Sequence, residues 1–243
     1  MKIIAIDAGN THLRFAKIDT ENPQNVEIIH SNYEKIFAEL KNEDLLISVA
    51  SVVPKGEWLC NELCKIGKKV YSCNRKTILN LKINYSETLG IDRIVDAIAG
   101  LKLFPARDLI IIDSGTATTI DCVRANREFL GGFILPGIKI TTEVIHEKTA
   151  VLPKLKPADL EFSEMPQDTV SAIASGLIAD CAGGIEYGID FCEKKLENPL
   201  ILGCGGGWEI IKKFVRKPTQ SIPALTLIGT AFAAENYFTL LRL

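Results

Sequence analysis

"IIAIDAGNT" at residues 3–11 and "LIIIDSGTATT" at residues 109–119 repeat a single pattern. In each stretch an apolar, strand-forming run ends in Asp, a small residue and Gly, and residues with hydroxyl or amide side chains follow. The two aspartates, Asp7 and Asp113, are separated by about the length of one small domain. The repeat therefore predicts that the chain contains two copies of one fold, each with a polar turn after its first strand.

The bulk composition is that of an ordinary globular protein. The chain has 243 residues, of which 47% are hydrophobic and 24% charged, with a net charge of −2 and a pI near 6.0. This balance gives no indication of a basic surface for nucleic acid or for a membrane, so neither is an expected partner. Asp7 interrupts the N-terminal apolar stretch, and no run approaches the roughly 20 apolar residues of a membrane span. A cytoplasmic location is expected.

The seven cysteines include no C-x-x-C pair. Cys60 and Cys64 stand one helical turn apart, but no nearby histidine or second cysteine pair completes a tetrahedral metal set. We expect reduced, mostly buried thiols.

Hydrophobic periodicity predicts strands followed by helices, twice over. In the first half, strands are predicted at 2–7, 12–19 and 44–53, and helices at 33–40, 56–67 and 93–104. In the second half, strands are predicted at 108–115, 116–126, 128–137 and 199–207, and helices at 140–150, 169–196, 208–214 and 227–241. The order predicts an α/β fold with a duplicated core, divided into domains at 1–106 and 107–243.

The two turns have the residue types of a phosphate site. Gly9 and Gly115 let the backbone approach a ligand, and the neighbouring N–H and hydroxyl groups suit phosphate oxygens. A carboxylate at such a turn is explained by Mg²⁺, which binds carboxylate, phosphate and water together. A third glycine cluster, "LGCGGG" at 202–207, opens a predicted helix. The alternative is that all three stretches are ordinary tight turns.

Together, these turns resemble the acetate and sugar kinase, heat-shock-protein and actin superfamily. Finer motifs resemble the type III pantothenate kinases: "DAGNT" (7–11), "SVASVVP" (48–54), "LGIDR" (89–93), "DSGTATTID" (113–121), "GGFILPG" (131–137), "KPAD" (156–159) and "DT…SG" (168–176). The resemblance implies duplicated ribonuclease-H-like (actin-like ATPase) domains with an interdomain ATP cleft. It also implies ATP-dependent phosphorylation of pantothenate to 4'-phosphopantothenate, the first step of coenzyme A biosynthesis, by a homodimer.

The resemblance assigns roles to individual positions. Asp92 corresponds to the general base, Asp113 to a ligand of a monovalent cation (K⁺ or NH4⁺), and Asp7 to the Mg²⁺–phosphate turn. ATP binding is implied for Asp7, Ala8, Gly9, Asn10, Thr11, His12, Leu13, Arg14 and Thr116. Pantothenate binding is implied for Tyr85, Gly90, Ile91, Asp92, Arg93 and Thr169, with the Arg93 guanidinium suited to the substrate carboxylate.

Several of these positions have a purely structural alternative. Asp92 and Arg93 would also suit a helix N-terminal acid and a surface ion pair, and Tyr85 a core aromatic at a strand end. The apolar stretch 172–191 suits either a dimer interface or an interior helix. The sequence departs from the family at Ile91, where alanine is usual, and at Cys204, which precedes Gly205 and Gly206 where the family has Thr-Gly-Gly. Two other functions stay open: a kinase of another small acidic hydroxyl compound, and a non-catalytic regulator like the Bvg accessory factors.

Overall fold

The computed structural model describes residues 1–9, 13–23, 26–76, 78 and 80–240. Their strands are β1 Lys2–Ala8, β2 Leu13–Asp19, β3 Ile29–Ser31, β4 Leu46–Ser51, β5 Val70–Ser72, β6 Lys82–Ile83, β7 Leu109–Ser114, β8 Ala117–Arg124, β9 Glu128–Pro136, β10 Leu200–Cys204 and β11 Gln220–Ser221. Their α-helices are α1 Ile36–Glu39, α2 Pro54–Lys65, α3 Ile91–Leu103, α4 Ile138–Glu147, α5 Thr169–Glu193, α6 Trp208–Ile211 and α7 Leu225–Leu240. None of these helices is long and apolar enough to cross a bilayer.

The chain forms two compact units. The first contains residues up to Ala106, the short segment Asn126–Phe129 and the chain from Ala224 onward. The second contains Arg107–Ala125 and Leu130–Pro223.

The two units share one strand order. In the first unit the sheet runs β3-β2-β1-β4-β5, with β1 antiparallel to β2 and parallel to β4. In the second unit the corresponding strands run β9-β8-β7-β10-β11, again with β7 antiparallel to β8 and parallel to β10. This topological repeat confirms the predicted α/β fold with a duplicated core.

The buried strands owe their form to β-branched residues, which pack well on a pleated surface. Ile4, Ile6 and Ile47 of the first unit are fully buried and pack against Leu59 of α2. In the second unit Ile110 and its neighbours pack against α5. Each sheet therefore holds the ends of its strands, and the turns that follow them, in fixed positions.

The last helix, α7, belongs to the first unit, whereas the sequence predicted it in the second domain, 107–243. A Cβ on Gly229 would lie 1.9 Å from the Val95 carbonyl oxygen, so this glycine permits close approach of α7 to α3. The Ser48 hydroxyl of β4 donates to the Thr230 carbonyl at 2.7 Å. The segment Asn126–Phe129 also differs from the predicted range, because Glu128 and Phe129 pair with Lys82 and Ile83 of β6.

The expectation that all cysteines are reduced is wrong for two of them. Cys122 of β8 and Cys192 of α5 form a disulfide across 70 residues of sequence, with their Cα atoms 5.8 Å apart. The other five, which include Cys60 and Cys64, are free thiols. The pair escaped prediction because only the packing of α5 on the sheet brings the two residues together.

Candidate active site

The first polar turn follows β1, where Asp7 pairs with Arg14 of β2 across the antiparallel ladder. Both Nε and Nη2 of Arg14 donate to Asp7 Oδ2, Nε at 3.1 Å. The Ser51 hydroxyl donates to the Ala8 carbonyl at 3.0 Å and so ties the end of β4 to the same turn. The predicted ATP residues Asn10, Thr11 and His12 lie outside the described residues.

Two of the predicted ATP-binding residues have side chains that are buried in the hydrophobic core of the first unit. The side chains of Ala8 and Leu13 are buried, and Leu13 packs in the apolar cluster of the first unit. Only their backbone groups can face a ligand, as a phosphate-binding turn requires.

Asp92 lies in the first turn of α3, after the N-cap Gly90. Its Oδ1 accepts a hydrogen bond from the Arg93 N–H at 2.8 Å. Burial raises the pKa of the Asp92 carboxyl, and the charge of Asp7 raises it further, although the hydrogen bond and charge of Arg93 oppose the shift. Asp7 and Asp92 both belong to the first unit, and their charges repel each other.

Glycine at position 90 leaves space that a larger side chain would fill, whereas the backbone conformation there does not require glycine. Its φ of −60° is open to any residue, but a Cβ there would lie 2.4 Å from Asp92 Oδ1. The neighbouring Ile91, the departure from the family, has its side chain buried. Gly90 thus leaves room for the carboxylate, whereas Ile91 packs inward.

Arg93 is buried, with 4% of its surface exposed, so the alternative of a surface ion pair is wrong. Its guanidinium carbon lies 5.1 Å from the Tyr85 ring centroid and 5.7 Å from that of Phe129. Phe129 was not predicted from the sequence, because "EFLGGFILPG" is typical of a single strand of the second half. No periodic signal in that stretch indicates that Phe129 packs against Arg93.

The second polar turn joins β7 and β8. Asp113 is the second-last residue of β7 and is opposite Thr119 on one side and Cys204 of β10 on the other. The hydroxyls of Ser114 and Thr118 are hydrogen-bonded at 3.0 Å, and Thr116 is exposed at the tip.

Glycines surround this second turn. Gly205 has a φ of +87°, and a Cβ there would lie 2.3 Å from Asp113 Oδ1. A Cβ on Gly137 would lie 2.3 Å from the Gly115 oxygen, and the Gly137 N–H donates to the Thr116 carbonyl at 3.1 Å. The "LPG" motif and the glycine cluster at 202–207 therefore support the Asp113 turn, a role that the sequence alone did not assign to Gly137.

Thr169 is the first residue of α5 and is exposed. The preceding Asp168 caps this helix, since its Oδ1 accepts from the N–H groups of Val170 and Ser171, both at 3.0 Å. The structure thus groups Asp7, Arg14, Asp92, Arg93 and Tyr85 in the first unit and Asp113 with Thr116 in the second. Thr169 also belongs to the second unit, at the start of α5.

Comparison with solved structures supports the fold. A protein from Campylobacter jejuni assigned to the Baf family of transcriptional activators aligns with a TM-score of 0.63 at 20% identity, covering 98% of this chain and 100% of that one. The activator of 2-hydroxyisocaproyl-CoA dehydratase from Clostridium difficile, solved with ADPNP, aligns with a TM-score of 0.57 at 13% identity, over 100% and 97%. A ROK hexokinase from Thermus thermophilus gives 0.56 at 13% identity, over 98% and 99%. At these identities the likeness shows the fold alone.

Sequence comparison identifies the family. The model of the type III pantothenate kinases matches residues 3–190. A type III pantothenate kinase from Persephonella marina is 34% identical over 230 residues, which is 87% of this chain and 89% of that protein. The chain belongs to the type III pantothenate kinase family.

Proposed function

We propose that this chain transfers a phosphoryl group from ATP to the hydroxyl of pantothenate and so forms 4'-phosphopantothenate, with Asp92 as the general base. Family membership supports the reaction, which is the first step of coenzyme A biosynthesis. The observation that carries the residue assignment is the pair of half-buried Asp92 and buried Arg93, one carboxylate and one guanidinium on adjacent residues at the start of α3. A base for the substrate hydroxyl and a cation for the substrate carboxylate are the two groups that pantothenate requires.

Asp92 would accept the proton of the attacking hydroxyl. Phosphoryl transfer needs mainly positioning and charge neutralisation, and a carboxylate that takes this proton is a recurring part of such sites. Burial raises the pKa of Asp92, which makes its carboxylate a stronger base than a solvated one. Gly90 gives the carboxylate its room, and the Arg93 N–H fixes one of its oxygens.

The residue types of each turn suit phosphate oxygens and their cations. Asp7 would supply oxygen ligands of the kind that Mg²⁺ prefers, and its repulsion of the Asp92 carboxylate favours a divalent cation. When bound, Mg²⁺ would neutralise charge on the phosphates. Asp113, in the strand that leads into the second polar turn, would be a carboxylate ligand for K⁺ or NH4⁺. The backbone from Ala8 to Arg14 and the exposed Thr116 would hold phosphate oxygens.

We further propose that the protein is a homodimer. Phe133, Tyr187 and Phe191 form an aromatic cluster on the second unit, with ring centroids of Phe133 6.4 and 5.5 Å from the other two. Tyr187 is 68% exposed and Phe191 44% exposed. Clustered exposed aromatics are typical of interaction surfaces. We also propose that the protein is cytoplasmic and that its two units are ribonuclease-H-like domains. Thr169 is proposed to contact the substrate.

The test is whether the purified protein phosphorylates pantothenate with ATP. The reaction is monitored by the release of ADP, and the product is identified by mass analysis. The assay is run with Mg²⁺ in potassium, ammonium and sodium-only buffers, and beside pantothenate with a panel of small hydroxy acids. Turnover of pantothenate that needs K⁺ or NH4⁺ supports the assignment. Turnover of another acid alone would favour the second kinase hypothesis. The absence of turnover on every substrate would favour a non-catalytic regulator.

A further inference from the structure

We infer that Phe129 is a positioning residue that, with Tyr85, holds the Arg93 guanidinium in the orientation that binds the substrate carboxylate. This inference rests on the proposed function and adds to it a residue from the start of β9. The three side chains belong to the first unit, since Phe129 lies in the segment Asn126–Phe129.

The geometry is that of an aromatic clamp. The guanidinium carbon of Arg93 lies within 6 Å of both ring centroids, at 5.1 Å from Tyr85 and 5.7 Å from Phe129. The two rings meet edge to face, with centroids 6.3 Å apart and planes at 80°. Phe129 is fully buried and Tyr85 is half-buried, so the Phe129 side of the clamp is held in place by the surrounding core. A guanidinium held in this way loses less freedom when it binds a carboxylate.

A buried acid holds the clamp together. Glu128 is 7% exposed, and its Oε1 accepts from Lys82 Nζ at 2.6 Å and from Asn84 Nδ2 at 2.9 Å. The Asn84 N–H donates to the Phe129 carbonyl at 2.9 Å, one residue before Tyr85. These bonds fix the backbone positions of both aromatic residues relative to each other.

The Tyr85 loop is fixed from its other side as well. Arg75 donates from Nη2 to the Tyr85 carbonyl at 3.0 Å and from Nη1 to the Ser86 carbonyl. Before this loop, β6, only two residues long, pairs with the first two residues of β9. The short pairing brings two rings to one guanidinium.

The experiment compares pantothenate with its analogue in which the carboxylate is replaced by a primary alcohol. Phe129→Leu should raise the KM for pantothenate by about tenfold and leave kcat within about twofold, because the contact between Arg93 and the substrate carboxylate, which Phe129 positions, contributes equally to binding in the ground and transition states. The kcat/KM for the alcohol analogue should stay within about twofold of wild type. The preference for pantothenate over the alcohol therefore falls.

Phe232→Leu is the matched control, since Phe232 is equally buried in the same unit but contacts Lys102 instead of Arg93. It should keep the wild-type preference. If Phe129→Leu does not fold, Phe129→Met, whose flexible side chain fills the same buried space without a ring, decides the matter by the same ratio. An unchanged preference in the folded clamp variant overturns the inference, as does an equal loss on both substrates. Wild-type protein that phosphorylates neither compound would instead refute the proposed function.

Discussion

At the scale of a single residue, Asp92 is both the proposed general base and a carboxylate whose ionisation destabilises the folded protein. Burial raises its pKa, so the folded protein binds this proton more tightly than the unfolded chain. Stability consequently falls as pH rises from the ordinary pKa of Asp toward the raised value in the folded state, and the cost persists above it. A residue that destabilises the fold while ionised is typical of a site shaped for chemistry.

Asp92→Asn should separate these two features. Turnover should fall by roughly 10²- to 10⁴-fold, the usual contribution of a general base. The thermal midpoint, measured without nucleotide or Mg²⁺, should equal or exceed that of wild type at neutral pH, and the difference should shrink in acid. The kcat/KM of wild type should fall on the acid side with a midpoint above the ordinary pKa of Asp. Wild-type turnover in Asp92→Asn would contradict the base assignment.

Gly90→Ala tests whether the carboxylate needs its space. A Cβ at this position would lie 2.4 Å from Asp92 Oδ1, the mobile end of a side chain, so the carboxylate rather than the backbone must move. We expect kcat to fall by at least about tenfold, as for a displaced catalytic group, with little change in the thermal midpoint. Gly176→Ala is the control, because a Cβ there meets nothing within 4 Å. Equal kcat values for the two variants would show that Gly90 has no such role.

At the scale of elements, the disulfide joins β8 to the last turn of α5. Both sulfurs belong to buried residues, which limits the access of reductants to the bond. Denatured protein without reductant should therefore titrate five thiols, and all seven cysteines after reduction. Cys192→Ser should lower the free energy of unfolding by about 2–4 kcal/mol, measured by denaturant titration. Cys64→Ser, at an exposed free thiol, should leave it unchanged.

The elements that the sequence predicted are the ones with a strong local pattern. The runs around Ile4 and Ile110 are apolar and β-branched, and α3 has a clear helical period ended before Pro105. The short strands β3, β5, β6 and β11 were missed, because two or three residues carry no alternation. Their pairing is decided by neighbouring strands, as in the bond from the Lys82 N–H to the Arg127 carbonyl. Pro54 opens α2, whereas the sequence placed it at the end of a strand.

At the scale of the whole molecule, the residues of the candidate site also could be predicted only where a local sequence motif contains them. Roles for Asp7, Asp92 and Asp113 could be proposed because each lies in a motif, and the repeated turn indicated the duplication. Phe129 and the return of α7 to the first unit could not, because both depend on contacts between distant parts of the chain, such as Gly229 with Val95. A motif identifies the reacting groups, and only the fold identifies the residues that hold them.

The aromatic cluster of the second unit gives the last prediction, which concerns assembly. Tyr187→Glu together with Phe191→Glu places two charges on an exposed apolar surface, whose desolvation in an interface would be costly. Wild type should elute as a dimer by size-exclusion chromatography with light scattering, and the double variant as a folded monomer. Val151→Glu, at an 88% exposed apolar residue of the same unit, should remain dimeric. A dimeric double variant would place the interface elsewhere, and a monomeric wild type would refute the dimer itself.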